Sequence, residues 1–179
     1  MTFTEGNHSP AMSLQSLRLP RTVESDPRGQ DLLPILVKLA QPIRDGSEVS
    51  VPVAGYDKVE SALQSVHRSA RLVRGLDSAK RTLAAEERGL QMADESSGVK
   101  RGGRVSRLLL LSNDGSDGFY RKVETMVMRH APRVLAIRLE VDADTLGASL
   151  FGEGHTTRLV LIQHKEAVAE VLFAFAADV

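Results

Sequence analysis

Residues 105–139 read VSRLLLLSNDGSDGFYRKVETMVMRHAPRVLAIRL, and this stretch decides the class of fold. The near-continuous apolar run at 105–111 is typical of a strand buried on both faces of a sheet. Residues 112–118 form a polar loop. The residues after that loop share one helical face: Phe119, Val123, Met126, Val127 and His130. Pro132 ends that helix, and residues 134–139 predict a second buried strand.

The same alternation of elements continues towards the C-terminus. Residues 142–151 predict a short helix with Asp142 as its N-cap, residues 159–162 predict a third buried strand, and residues 165–176 predict a closing helix. The residues expected to face inward from these two helices are Leu146, Leu150, Val168, Leu172 and Phe175. Three strand–helix units predict an α/β fold, a three-layer α/β/α sandwich with a small mixed sheet.

The N-terminal part is less regular. Residues 1–31 are rich in Ser, Pro, Gly and Asp and predict a disordered arm. Residues 32–56 predict an extension that packs on the domain. A short helix is expected to start near Pro34, and residues 48–53 predict an edge strand in which Pro52 limits the pairing.

A long helical stretch is expected after Gly55. Its apolar residues fall on one helical face: Val59, Leu63, Val66 and Ala70. Asp57 is the predicted N-cap, with Glu60 three residues on in a capping-box pattern. The helix should stop near Ala70, and the domain that it opens should run over residues 57–179.

The stretch 71–83, RLVRGLDSAKRTL, predicts a site. Residues 71–74 suit a short extended segment, Gly75 makes a bend, and the next helix runs to about residues 88–89, with Gly89 as C-cap. A helix N-terminus that is opened by a glycine and lined by basic side chains suits an anion or a nucleic-acid backbone.

Residues 90–104, LQMADESSGVKRGGR, have no periodicity and many small polar side chains. They predict a mobile surface loop inserted into the domain. The basic end of the loop, with Lys100, Arg101 and Arg104, fits either an RNA contact or a solvated linker. The sequence leaves both readings open.

Composition limits the classes of function. The 179 residues are 42% hydrophobic and 26% charged, and 23 basic side chains balance 23 acidic ones. A net charge of zero counts against a general phosphate binder but leaves room for a local basic patch. Aromatic residues make up 4% and tryptophan is absent, so platforms for stacking bases are few.

The chain contains no cysteine. This excludes disulfides, thiolate zinc sites and a cysteine nucleophile, and it fits a reducing compartment. Apolar runs fall short of the roughly 18 residues that a membrane span needs, and the N-terminus does not have the pattern of a secretory signal. No metal-ligand, acid–base or nucleophile constellation is evident, so we expect no cofactor, no metal and no catalytic residue.

Three motifs follow one another along the chain: GLDSAKR at 75–81, LLLLSNDGSD at 108–117 and LEVDADTLGASLFG at 139–152. In their order and spacing they resemble the kink-turn RNA-binding superfamily of ribosomal proteins L-seven-Ae and L-thirty-e. The likeness covers about residues 57–176. It implies a fold of the L-seven-Ae type.

The resemblance also implies the residues that contact RNA. The glycine–helix turn would enter the groove of a bent RNA through Arg71, Arg74, Gly75, Leu76, Asp77, Lys80 and Arg81. A second contact, with an extruded base, would be made by Leu139, Glu140 and Val141. Asp77 and Ser78 depart from the ribosomal pattern of Asn and Glu, which favours the ribonuclease P and MRP subfamily, Rpp-thirty-eight and Pop-three.

The implied function is that of a non-catalytic RNA-binding subunit of a ribonucleoprotein of the ribonuclease P or MRP type, which takes part in tRNA or rRNA processing. The subunit would bind a kink-turn-like element of a structured RNA. Its partners would be structured RNA and other protein subunits, and no membrane. By resemblance the location is the nucleus or nucleolus, and otherwise the cytoplasm. The alternatives are a ribosomal or small nucleolar ribonucleoprotein component, or a protein-interaction module of the same fold, as in the Gadd-forty-five type.

Overall fold

The computed structural model describes residues 14–98 and 103–177, and this part of the chain builds a six-stranded mixed sheet. The strands are β1 (Ala40–Pro42), β2 (Ser50–Gly55), β3 (Leu72–Arg74), β4 (Arg107–Leu111), β5 (Val134–Glu140) and β6 (Leu159–Ile162), in the spatial order β1-β2-β5-β4-β6-β3. Strands β2, β5 and β4 are parallel, whereas β6 is antiparallel to both β4 and β3. The ends of β2, β3, β4 and β5 and the beginning of β6 therefore share one edge, the carboxyl edge.

The helices cover both faces of the sheet. They are α1 (Arg21–Glu24), α2 (Leu32–Lys38), α3 (Glu60–Arg68), α4 (Leu76–Ser97), α5 (Asp117–Arg129), α6 (Ala143–Phe151) and α7 (Lys165–Ala176). On one face of the sheet, the buried side chains of α1, α2, α3, α6 and α7 pack against the strands and form the first core. On the opposite face, those of α4 and α5 form the second core. The predicted α/β/α sandwich is confirmed.

Strand β4 explains why the sequence there is almost continuously apolar. Leu108 and Leu110 belong to the first core, and Leu109 and Leu111 belong to the second. All four are fully buried. Because successive strand residues point to opposite faces, a strand between two helical layers needs an apolar side chain at every position.

The end of α4 differs from the prediction. The helix continues through Gly89 to Ser97, so residues 90–97 are helical, and its C-cap is Gly98 with φ 68°. A glycine inside a helix costs only about 1 kcal/mol relative to alanine. The residues around it are good helix formers, and Glu86, one turn earlier, is anchored by ion pairs to Arg107 (3.1 Å) and Arg133 (2.8 Å).

The predicted arm at 1–31 is folded over its described part, residues 14–31. Leu17, Leu19 and Val23 are buried in the first core, 6%, 1% and 0% exposed. The isolated apolar residues of this segment therefore pack on the domain, although their local sequence is polar. Residues 1–13 lie outside the described part of the chain.

Two smaller predictions are also corrected. The strand near residues 48–53 is internal, because β2 pairs with β1 on one side and with β5 on the other. Pro52 is opposite Ala40 of β1, and the pairing with β5 begins only at Val53. Asp57 does not cap α3, since it lies in a 3-10 turn (Tyr56–Lys58) and Val59 takes the N-cap position.

Candidate nucleic-acid interface

The turn that opens α4, residues 74–78, is called here the α4 turn. Gly75 has φ 90° and ψ 158°, a conformation that is essentially restricted to glycine. Its backbone N–H donates to the carbonyl of Leu159 at 2.9 Å, which holds the turn against the first residue of β6. No side chain caps the helix, so the N–H groups of its first turn are left for solvent or a ligand.

An open cleft of about 390 Å³, the α4 cleft, lies beside this helix N-terminus. Its walls come from β3, α4, the first turn of α5 and the segment leading into β6. The lining residues are Arg74, Gly75, Leu76, Phe119, Thr156, Thr157, Arg158 and Leu159. Two guanidinium groups and the positive end of a helix dipole thus face one concave surface, which favours an anion.

The two arginines of the cleft differ in freedom. Arg74 contacts His155 Nδ1 (3.2 Å), donates to the Thr156 carbonyl (2.8 Å) and lies 4.5 Å above the Phe151 ring. Arg158 is exposed, and no side-chain partner for it is found among the described residues. Arg74 therefore shapes the cleft, while Arg158 is free to bind.

Basic side chains continue along α4. Lys80 and Arg81 are exposed one turn into the helix, and Arg81 makes only a long contact of 3.4 Å with Ser78 Oγ. Asp77 is exposed between them and the cleft. Together with Arg158, Lys80 and Arg81 give the α4 end of the carboxyl edge a net positive charge. The carboxylate of Asp77 offsets part of that charge.

Arg71 does not join this surface. It precedes β3, at the opposite edge of the sheet from Gly75, and forms an ion pair with Glu166 at 3.0 Å. The three residues of β3 separate Arg71 from Gly75, so these two residues lie at opposite ends of the strand. Of the four basic residues grouped by the sequence, the structure brings Arg74, Lys80 and Arg81 to the α4 end and leaves Arg71 away from it.

The second predicted contact, at the turn between β5 and α6 (residues 139–145, the α6 turn), lies on the same carboxyl edge. Strands β4 and β6 separate β5 from β3, so the two turns are about 14 Å apart. Leu139 is fully buried and Val141 is 8% exposed. Neither apolar side chain is available to a base, and only Glu140 of the three is exposed.

The α6 turn satisfies its own helix N-terminus. Asp142 accepts from the Thr145 N–H at 2.6 Å, which confirms its predicted capping role, and Asp114 accepts from the Ala143 N–H at 3.1 and 3.2 Å. The Thr145 N–H lowers the pKa of Asp142 below its ordinary value, because it stabilises the charged carboxylate. With Asp144 and Glu140 nearby, this end of the edge is acidic and would repel phosphate.

The basic end of residues 90–104 is also tied down where it is described. Arg104 donates to the Leu19 carbonyl (2.9 Å) and to Glu24 (2.8 Å). Hydrogen bonds from Arg18, and then from Arg104 and the Leu19 N–H, lower the pKa of Glu24 to about 2. Arg104 therefore serves the fold, and Lys100 and Arg101 lie outside the described residues.

Sequence reasoning missed five of the residues that line the α4 cleft: Phe119, Thr156, Thr157, Arg158 and Leu159. They are 40 or more positions from Gly75 in the sequence. Only the antiparallel pairing of β3 with β6 and the packing of α5 on the same face bring them together. A weak local signal existed for Arg158, a charged side chain immediately before a buried strand.

Comparisons with known proteins add little to the fold. No protein-family model matches the chain, and no curated protein matches it. One similar solved structure is titled as a protein with unknown function from Bacillus halodurans C. It is 17% identical, covers 68% of this chain and 98% of its own, and has a TM-score of 0.39.

The described residues contain neither a candidate membrane-spanning helix nor a candidate metal-binding cluster. No helix there combines the length and apolarity that crossing a bilayer requires. Within the same residues, no group of three or more His, Cys, Asp or Glu side chains is arranged to hold a metal ion. In the loop after β4, Asp114 accepts from the Ala143 N–H at the start of α6, and Ser116 accepts from the Phe119 N–H at the start of α5.

Proposed function

We propose that this protein is a non-catalytic RNA-binding subunit of a ribonucleoprotein and that it grips the RNA backbone at the α4 turn. Phosphate oxygens would accept from the free N–H groups at the start of α4 and from Arg158. Lys80 and Arg81 would neutralise the neighbouring phosphates along the helix. The RNA does the chemistry of such a particle, and the protein stabilises its fold.

The observation that carries the proposal is the uncapped N-terminus of α4, which faces a cleft lined by Arg158, an arginine with no side-chain partner among the described residues. At α5 and α6, Ser116 and Asp142 cap the first turns with their own side chains. At α4 a glycine stands at the N-cap and offers none. An acceptor with several oxygens, such as a phosphate, satisfies both the helix and the guanidinium.

The finer form of the proposal is a ribonuclease P or MRP subunit that binds a kink-turn-like element in tRNA or rRNA processing, in the nucleus or nucleolus. It rests on the resemblance of residues 75–81 and 139–152. The buried side chains of Leu139 and Val141 leave only the α4 half of the family's interface. A half-interface and a neutral chain favour a subunit that also relies on protein neighbours.

A second candidate is a protein-interaction module, and the α6 turn favours it. Glu140, Asp142 and Asp144 make an acidic surface on the same edge as the basic α4 cleft. An edge with both signs of charge suits a protein partner of complementary pattern. The two candidates differ in whether RNA is needed for binding.

The test is a fluorescence-anisotropy titration of the full chain with a labelled kink-turn RNA at low salt. The double variant Lys80→Ala/Arg81→Ala and the single variant Arg158→Ala should each weaken binding by on the order of tenfold. The slope of log K against log salt should fall by roughly 0.7–0.9 per charge removed. Asp77→Asn should strengthen binding, because it removes a negative charge beside the phosphate.

The matched control is Arg21→Ala/Arg68→Ala, which removes the same charge from exposed positions in the other helical layer. Equal losses in both double variants would reduce the binding to nonspecific charge and refute the site. Absence of binding by the intact chain would refute the proposal that this chain itself grips RNA at the α4 turn. Copurified protein subunits without RNA would then favour the interaction module.

A further inference from the structure

Phe119 is a half-buried residue that lines the α4 cleft, and it makes no contact in the proposed grip on the RNA backbone. It lies in the first turn of α5 and lines the cleft together with Arg74, Leu76 and Arg158. Only seven residues of the chain are phenylalanine or tyrosine, five and two respectively. Because aromatic residues are so few, an aromatic ring that lines the same cleft as two arginines and an uncapped helix N-terminus is an uncommon feature of this chain.

The ring of Phe119 packs against Gly115 and Tyr120. A side-chain atom on Gly115 would come within 2.5 Å of Phe119 Cδ1 and 3.0 Å of Tyr120 Cζ, so only glycine allows this close approach. The Phe119 ring also packs edge-on against Tyr120, with centroids 5.2 Å apart. Tyr120 is itself fixed, because its hydroxyl donates to the Ser112 carbonyl at 2.8 Å. A supported ring needs little ordering when a ligand stacks on it.

We infer that the α4 cleft takes an unpaired nucleotide, whose base stacks on Phe119 while its phosphate lies between Arg158 and the start of α4; this inference rests on the proposed function. Stacking on aromatic side chains is the usual way in which proteins hold splayed-out bases. The exposed Thr156, which also lines the cleft, carries a hydroxyl that can donate to or accept from the base edge or the ribose.

The α4 cleft should distinguish an unpaired nucleotide from a duplex. The bases of an RNA duplex are stacked on one another inside the helix, so they are not free to stack on the Phe119 ring. A volume of about 390 Å³ falls in the range of clefts that bind small molecules or single nucleotides. A duplex would meet only the arginines, Lys80 and the helix N-terminus.

The experiment uses the variant Phe119→Trp, which carries the only tryptophan of the chain because the natural sequence has none. A single-stranded oligonucleotide of about one dozen residues should quench the tryptophan emission on binding, whereas its duplex and inorganic tripolyphosphate should not. In anisotropy titrations, Phe119→Leu and Phe119→Ala should weaken single-strand binding by roughly 5- to 150-fold, and Phe119→Tyr should preserve it. Duplex binding should change less than about twofold.

The leucine variant guards against misfolding, since it keeps an apolar side chain against Gly115. If Phe119→Leu binds the single strand as tightly as the natural chain, the stacking is refuted and the backbone proposal stands. Binding of the single strand to Phe119→Trp without quenching of the tryptophan emission would also refute the stacking. If the natural chain binds neither the single strand nor the duplex, both the inference and the proposed function fall.

Discussion

The α4 turn and the α6 turn are two helix N-termini on the same edge of the same sheet, yet they present opposite surfaces. The α4 turn begins at Gly75, which provides no side-chain cap, and it faces a cleft lined by Arg158, whose side chain has no partner within residues 14–98 and 103–177. The α6 turn is capped by Asp142 and Asp114 and is acidic. A helix N-terminus is thus available to an anion only where the protein leaves it uncapped.

The largest expected effect on stability comes from substituting Leu139, because this side chain of the α6 turn is fully buried. Leu139→Ala should lower the free energy of unfolding by about 2–5 kcal/mol, because it opens a cavity in the first core. RNA affinity of the folded fraction should not change. Urea denaturation followed by anisotropy titration measures both. Unchanged stability together with lost RNA affinity would make Leu139 a contact residue and would break the contrast between the turns.

The backbone of Gly75 gives the next largest effect. Gly75→Ala should cost about 1–3 kcal/mol of stability, because φ 90° and ψ 158° are strained for any residue with a Cβ. No atom lies within 4 Å of the added methyl group, so the cost is conformational and not steric.

Gly89→Ala is the matched control for that experiment. It is the same substitution in the middle of α4, also with open space around the new methyl group. There it should stabilise the protein by about 1 kcal/mol, because alanine is the better helix former. Thermal unfolding of the two variants compares the signs directly. Equal signs would show that the geometry of Gly75 is not what holds the α4 turn.

The smallest expected effect is the pH dependence of the α6 turn. The pKa of Asp142 is held below its ordinary value of 3.8 by the Thr145 N–H. A lowered folded-state pKa contributes stability above the ordinary value, and that contribution is lost as pH falls through the lower one. The natural chain should therefore lose its advantage over Asp142→Asn below pH 3.8, as measured by urea unfolding along a pH series. A difference in the free energy of unfolding that does not change with pH would show that the charge of the Asp142 carboxylate does not contribute to the cap.

Local patterns were sufficient for most of the elements. The apolar run that became β4, the Asp142 cap and the bend at Gly75 were each predicted from neighbouring residues, because strand burial, capping and positive φ are local properties. The prediction that α4 ends at Gly89 was wrong. A glycine's cost of about 1 kcal/mol is easily exceeded by the propensity and ion pairs of the surrounding turns.

The candidate site was predictable only in part. The sequence pointed to Gly75, Lys80 and Arg81, because glycine and basic residues at a helix start form a local motif. It did not indicate that Arg71 is paired with Glu166 or that Leu139 is buried. Both facts depend on contacts with residues far along the chain, and periodicity alone does not distinguish a base-stacking leucine from a core leucine.

By itself the sequence determined the α/β alternation and the positions of the glycine turn and the helix caps, because these depend on side chains within a few residues of one another. The tertiary structure alone decided which helix N-terminus faces a cleft lined by basic side chains. The pairing of β3 with β6 puts Arg158 beside Gly75, and the packing of α5 brings Phe119 to the same cleft. The pairing of distant strands and the packing of helices on a sheet are set by the whole chain, so the cleft exists only in the folded protein.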